Sequence, residues 1–379
     1  MNTTTKAAPP RATPPKPVRL HLTNIIGLGA TQLLRSLLPS LESLPGYRLE
    51  TLYLPASGPL AAHIAADPRT RLALYRRYLP NALSRVLECT LFGAGFDGAT
   101  PLLVLGDIPL RCRARQTVFV QNSLLTKGAD TGHSLGALKY YIAKCLFKRN
   151  MQYVAAFIVQ TEAMKAALLD SYPQILGRVH VIAQPAPDWL LASQLRRGAP
   201  RDGGGAGLRL FYPAAGYPHK NHGLFGELGA AEGQSWPVAE VVLTIPQSLH
   251  PNPALSWLRC VDRLEPDQVI AAYGACDALL FMSLTESFGF PLVEAMWIGL
   301  PVVCPDLPYA RAQCGDQALY FDVADAASLG RALAELHSRL ADGWWPDWSE
   351  RLRTIPRDWA EVGEAMLSLA AGADAAPAA

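Results

Sequence analysis

Apolar residues in this chain fall into short unbroken runs, separated by longer stretches in which they recur every three or four positions. That alternation of strands buried on both faces with amphipathic helices predicts an α/β fold with parallel sheets. The runs 18–26, 49–55, 102–105, 118–120, 154–160 and 179–183 read as strands of a first sheet. Those at 208–212, 239–245, 257–261, 278–282 and 302–304 read as strands of a second. Helices are expected after the turn Gly27-Leu28-Gly29, over 72–91, 138–153, 265–273, 327–340 and 358–369, and after Thr161, whose side chain suits a helix cap. The Pro- and Thr-rich residues 1–17 offer little to bury and read as a disordered leader. The glycine-rich stretch 201–207 reads as a hinge between an N-terminal domain, 18–200, and a C-terminal domain, 208–369, with 370–379 as a fraying tail.

The most informative stretch is 277–301, DALLFMSLTESFGFPLVEAMWIGLP. It predicts a central strand, a tight loop, and a helix that starts near Pro291 and stops at Gly299 and Pro301. The first N–H groups of such a helix lack partners and carry the positive end of its dipole, so the backbone from Phe290 to Val293 suits a phosphate. Gly289 lets a ligand approach the backbone. Glu286 and Glu294 repel a phosphate, so they are expected to flank it and take vicinal hydroxyls, one sugar on each side. The implied ligand is a sugar–phosphate–nucleoside. Lys220, in His219-Lys220-Asn221-His222, follows a predicted strand end at the head of a helix, where an ammonium reaches a diphosphate.

Glu286-Ser-Phe-Gly-Phe-Pro-Leu-Val-Glu294 resembles the Glu-x7-Glu signature of retaining GT-B glycosyltransferases, most like glycosyltransferase family 4. Gly299-Leu-Pro-Val-Val, Gln160-Thr161-Glu162 and the segment 315–325 are also similar to that family. The resemblance implies two doubly wound, Rossmann-like domains that meet at a cleft, the second binding a nucleotide-sugar donor and the first a glycan or lipid-linked acceptor. Bacterial surface polysaccharide synthesis is the implied setting. Glu294 would bind the ribose, while Glu286 and the amides of Gly289 and Phe290 hold the transferred sugar, beside Ser287, Pro291 and Leu292. Lys220, with Asn221, would meet the diphosphate. Glu286 and Lys220 are the expected catalytic pair. Gly29 and Gly27 would face the donor phosphates, and Arg263 and Leu264 the nucleobase. Asn122 would orient a hydroxyl, or simply turn a strand end. The chain departs from the family in two places: Gln121-Asn122 stands where a His-Asp pair is common, and Ala215 where an arginine is usual. No Asp-x-Asp occurs, so neither metal nor other cofactor is expected. A nucleotide-sugar 2-epimerase and a catalytically silent scaffold in polysaccharide assembly stay open as alternatives.

Length and composition narrow the setting. The 379 residues suit two domains, and a net charge of +2 gives no argument for nucleic-acid binding. Seven cysteines without a Cys-x-x-Cys fit a reducing cytoplasm, and no 18-residue apolar span or signal-peptide core occurs. The stretch 138–153, LKYYIAKCLFKRNMQY, is basic and amphipathic; it either packs on the sheet with a solvated basic face or touches anionic lipid headgroups at the inner membrane surface.

Overall fold

The structure, a computed structural model, describes residues 14–25, 28–79, 81–126, 135–200, 207–228 and 236–372. Most of the expected leader, the hinge residues 201–206, Gly27 and the end of the expected tail lie outside the described residues. In the first domain the described chain runs β1 (Lys16–His21), α1 (Leu28–Ser43), β2 (Tyr47–Pro55), β3 (Arg71–Tyr75), α2 (Asn81–Cys89), β4 (Leu102–Val104), β5 (Gln116–Phe119), α3 (Leu135–Asn150), β6 (Val154–Val159), α4 (Glu162–Ser171) and β7 (Val179–Val181). A short helix, α5 (Asp188–Leu191), leads to the second domain. There follow β8 (Leu208–Tyr212), α6 (Leu224–Glu227), β9 (Val238–Leu243), β10 (Leu258–Cys260), α7 (Pro266–Ala275) and β11 (Ala278–Leu280). The chain closes with α8 (Phe290–Ile298), β12 (Val302–Pro305), α9 (Pro308–Cys314), β13 (Leu319–Phe321), α10 (Ala326–Ala341), α11 (Ser349–Leu352) and α12 (Trp359–Ala371).

The strands form two all-parallel sheets, ordered β3-β2-β1-β4-β5-β6-β7 and β10-β9-β8-β11-β12-β13. Both are doubly wound, because chain order reverses beside β1 in one and beside β8 in the other. Such sheets bind ligands outside the carboxyl ends of their strands. A buried polar network fixes that end of the first sheet. Glu88 meets His21 at 3.0 Å and Arg77 at 3.2 Å, and it also accepts from Thr23; Arg77 reaches the Thr23 carbonyl at 2.9 Å and Asn24 at 2.7 Å, and Arg85 donates to the Gly106 carbonyl. The loops after β1 and β4 are thereby tied together.

Three expectations change. Residues 72–91 do not make one helix: 71–75 form the edge strand β3, parallel to β2, and the helix begins only at Asn81. Pro80 disfavours helical backbone at the residue before it, and the preceding run RLALY alternates as an exposed edge strand does. The first strand also starts earlier than residue 18, at Lys16. Finally, the first domain does not extend to residue 200. Ala186 and Leu190 already belong to the core of the second domain, and the Arg197 N–H donates to the Ile298 carbonyl at 2.6 Å. Gly299, the left-handed cap of α8 with φ 93°, lies against this passage, and a Cβ there would sit 2.2 Å from the Arg197 carbonyl oxygen. The changeover therefore falls between β7 and Ala186. The chain returns at its end: Trp359, Val362, Met366 and Leu367 of α12 lie in the first domain's core with β1, β2 and α1.

Candidate active site

The loop between β11 and α8 carries Glu286 and is held from both sides. Its own domain fixes the ends: the Leu284 N–H donates to the His219 carbonyl at 2.8 Å, the Tyr309 hydroxyl donates to the Ser283 carbonyl, and Gln313 Nε2 reaches the Phe288 carbonyl at 3.0 Å. The middle is held by the first domain. Thr285 Oγ1 donates to Ser123 Oγ at 3.1 Å, and Thr161 Oγ1 donates to the Ser287 carbonyl at 3.2 Å. Ser123 follows β5 and Thr161 follows β6, so strand C-termini of one sheet meet the corresponding loop of the other.

Lys220 does not head a helix as expected. It ends a single 3-10 turn, Pro218–Lys220, and Asn221 takes the left-handed conformation at φ 56°, which stops the turn before α6. Lys220 Nζ forms an ion pair with Glu286 Oε1, with only 16% and 15% of the two side chains exposed. His222, which no local pattern marks as a site residue, is buried, its ring 5.0 Å from that of Tyr212. Burial, and then the charge of Lys220, push the imidazole down to about 4, so it is neutral. Its Nε2 and Asn221 Nδ2 are buried without a hydrogen-bond partner among the described residues.

Gly289 caps α8 in the left-handed region at φ 82°. A Cβ there would meet only the flexible Leu292 side chain closely, at 3.2 Å, so the backbone conformation rather than crowding selects glycine. Fewer amides than expected face outward at this helix tip. Pro291 has no N–H, and the Leu292 N–H turns back to the Gly289 carbonyl at 2.9 Å. The N–H groups of Gly289 and Phe290 make no hydrogen bond among the described residues. Phe290 packs against both domain cores, its ring 6.4 Å from Trp359 in a stacked arrangement.

The two acids sit in unlike surroundings. Glu294 lies on a helix apolar all round, is 7% exposed, and accepts from the Tyr273 hydroxyl at 2.7 Å. Burial pushes its carboxyl up to about 7, against the lowering effect of the Tyr273 hydrogen bond. The folded protein therefore holds a proton between about pH 4.5 and 7 that the unfolded chain has released, and stability falls as pH rises through that window. Glu294→Gln, which keeps the acceptor for Tyr273, is expected to stabilise the protein at pH 8 by on the order of 2 kcal/mol and to change it little at pH 4. Urea denaturation at both pH values measures this; equal stabilities at pH 8 refute it.

Other predicted residues are placed as follows. Gly29 lies within the first turn of α1, which starts at Leu28, not in a turn before it. Asn122 Oδ1 accepts from the Leu124 N–H at 3.0 Å and caps the short turn that presents Ser123, while Gln121 Nε2 holds the Leu105 carbonyl at 3.1 Å. Arg263 is exposed and lies 3.9 Å from Glu265. Leu264 instead lines a hollow of about 310 Å³ between β10 and α7, with Val261 and Gln268. In α3, Leu146 and Phe147 face the core while Lys139, Tyr141, Lys148 and Arg149 face outward.

Residues 258–339 match the model of the Glycosyl transferases group 1 family. WbdA, a serotype-specific mannosyltransferase of Escherichia coli, is 30% identical over 139 residues, which are 35% of this chain and 16% of that protein. Most of the chain aligns with solved structures. WaaG, a glycosyltransferase involved in lipopolysaccharide biosynthesis, superposes with a TM-score of 0.62 at 14% identity over 94% of this chain and all of that one. HepE of Anabaena, solved with UDP and glucose, superposes with a TM-score of 0.60 at 13% identity over 94% and 99%. The chain has the GT-B fold, and its residues 258–339 are similar to group 1 glycosyltransferases. That segment holds Glu286, Gly289, Phe290 and Glu294, whereas Lys220, Ser123 and Thr161 lie outside it. At these identities the superpositions speak for the GT-B fold alone, and the chain spans less than a fifth of WbdA.

Proposed function

We propose that this GT-B protein transfers a hexose-type sugar from a nucleotide-sugar donor to a glycan or lipid-linked acceptor, with retention of anomeric configuration and without a metal ion. The observation that carries the reading is the Lys220–Glu286 ion pair, set beside the tip of α8 and the boundary between the domains. Donor binding exchanges partners within this pair: the diphosphate takes the Lys220 ammonium, and sugar hydroxyls take the Glu286 carboxylate. Both side chains are mostly buried, so separating them without replacement partners is costly, and only a ligand that offers an anion next to a diol satisfies both. Lys220, the Gly289 and Phe290 amides and the positive end of α8 then stabilise charge on the departing diphosphate as the anomeric bond opens through an oxocarbenium-like state. Glu294 would accept from the ribose hydroxyls. Because ionisation strengthens it as an acceptor, nucleotide affinity rises as pH passes about 7.

A surface polysaccharide is the proposed product, on the likeness to a serotype-specific mannosyltransferase and to WaaG. The outward basic and aromatic face of α3, with Leu138 and Tyr141 exposed, supports contact with an anionic lipid surface, and seven free cysteines fit the cytoplasmic side. The test is a thermal-shift panel of nucleoside diphosphates and their sugars, followed by product analysis with and without saccharide acceptors. Stabilisation by one nucleotide family and acceptor-dependent release of its diphosphate are expected. An isomerised sugar formed from donor alone would replace transferase with epimerase; binding without turnover on any acceptor would indicate a silent scaffold.

A further inference from the structure

We infer that Ser123 and Thr161, both in the first domain, are positioning residues for Glu286, so that the backbone carrying the sugar-holding carboxylate is fully fixed only while the two domains touch. This rests on the role proposed above for Glu286. The two contacts flank that residue, through Thr285 on one side and Ser287 on the other. The second domain anchors residues 283, 284 and 288, and within the loop Ser283 Oγ reaches the Thr285 carbonyl at 3.2 Å. Between those anchors, Glu286 is flanked on both sides by contacts to hydroxyls of the other domain, while its carboxylate is paired with Lys220 of its own.

Both residues are themselves held in place. Thr161 caps α4: its Oγ1 accepts the Met164 N–H at 3.0 Å, and that leaves its single proton for the Ser287 carbonyl. The cap of a first-domain helix thus aims a donor across the boundary, from a residue only 8% exposed. On the other side, the Ser123 carbonyl accepts from the Thr126 N–H at 3.1 Å and from its hydroxyl at 2.7 Å, and the Asn122 cap holds the same turn. Neither residue is within the group 1 segment.

The test uses the full chain with UDP-glucose or GDP-mannose, whichever it turns over, and follows release of the nucleoside diphosphate. Thr161→Val and Ser123→Ala are each expected to lower kcat about five- to tenfold, the loss of one hydrogen bond, with the donor KM held within about twofold. Thr161→Ser keeps the hydroxyl and should restore kcat. On a Glu286→Gln background neither substitution should lower the residual rate further, because both act through Glu286. Unchanged kcat in both hydroxyl variants, or the same fractional loss with Glu286 already replaced, overturns the inference. Ser123→Ala removes no helix cap, so it remains informative if Thr161→Val folds poorly. Wild-type turnover in Glu286→Gln would instead remove the role of Glu286 itself, and the inference with it.

Discussion

Lys220→Met is expected to lower the turnover of sugar transfer by about 10²- to 10³-fold, the effect of removing one preorganised charge from a developing anion. The substitution also strands Glu286, whose side chain is 15% exposed, as a mostly buried carboxylate without its partner. Stability should therefore drop as well, by roughly 1–3 kcal/mol. The double variant Lys220→Met/Glu286→Gln separates the two effects. Removing both charges should recover most of the stability, because no unpaired charge remains, yet the rate should be no better than that of the worse single variant. Steady-state kinetics and urea denaturation of the three proteins decide it. A double variant that recovers rate along with stability would mean that Lys220 serves the fold and not the leaving group.

Trp359→Ala should cost about 3–5 kcal/mol, the range for truncating a large buried aromatic side chain. Trp359 is 1% exposed, its Nε1 donates to the Ala186 carbonyl at 3.0 Å, and its ring stacks on Phe290. Truncation removes packing from the first domain's core and leaves a buried carbonyl without its donor. Trp359→Phe keeps an aromatic ring against Phe290 and gives up mainly the indole hydrogen bond, so about 1–2 kcal/mol is expected. Because Phe290 sits at the tip of α8, the alanine variant should also lose turnover beyond what its stability explains, while the phenylalanine variant keeps most of it. The chain has eight tryptophans, so unfolding is better followed by far-UV circular dichroism than by fluorescence. A cost below about 1 kcal/mol for Trp359→Ala would show that α12 merely rests on the first domain.

The α/β fold and the acid motif could be read from the sequence because they rest on local signals. Runs such as VAAFIV in β6 are apolar on both faces, and Gly289 and Gly299 bracket α8 where left-handed backbone is needed. What could not be read was long-range. Nothing local pairs Lys220 with Glu286, 66 positions apart, or joins Thr285 to Ser123, 162 apart. Thr161 shows its capping role in sequence, since that partner is three residues away, but its second partner is 126 away. The burial of Glu294 does have a local signal: FPLVEAMWI is apolar on every side, which predicts a helix sunk in the core and an acid shielded from water. The strand β3 is hidden for the opposite reason. As an exposed edge strand it lacks the doubly apolar signature that marks its neighbours.

Trp359 and Ala186 stand where the polypeptide passes from one domain to the other, and their hydrogen bond fastens the outgoing passage to the returning one. The halves are therefore joined by two neighbouring passages of the chain and not by one. They also cannot be obtained as modules by one cut. A fragment ending after β7 would present bare apolar sheet where α12 belongs, so a soluble first half is expected only when 359–371 is supplied, either grafted on or added as a separate peptide.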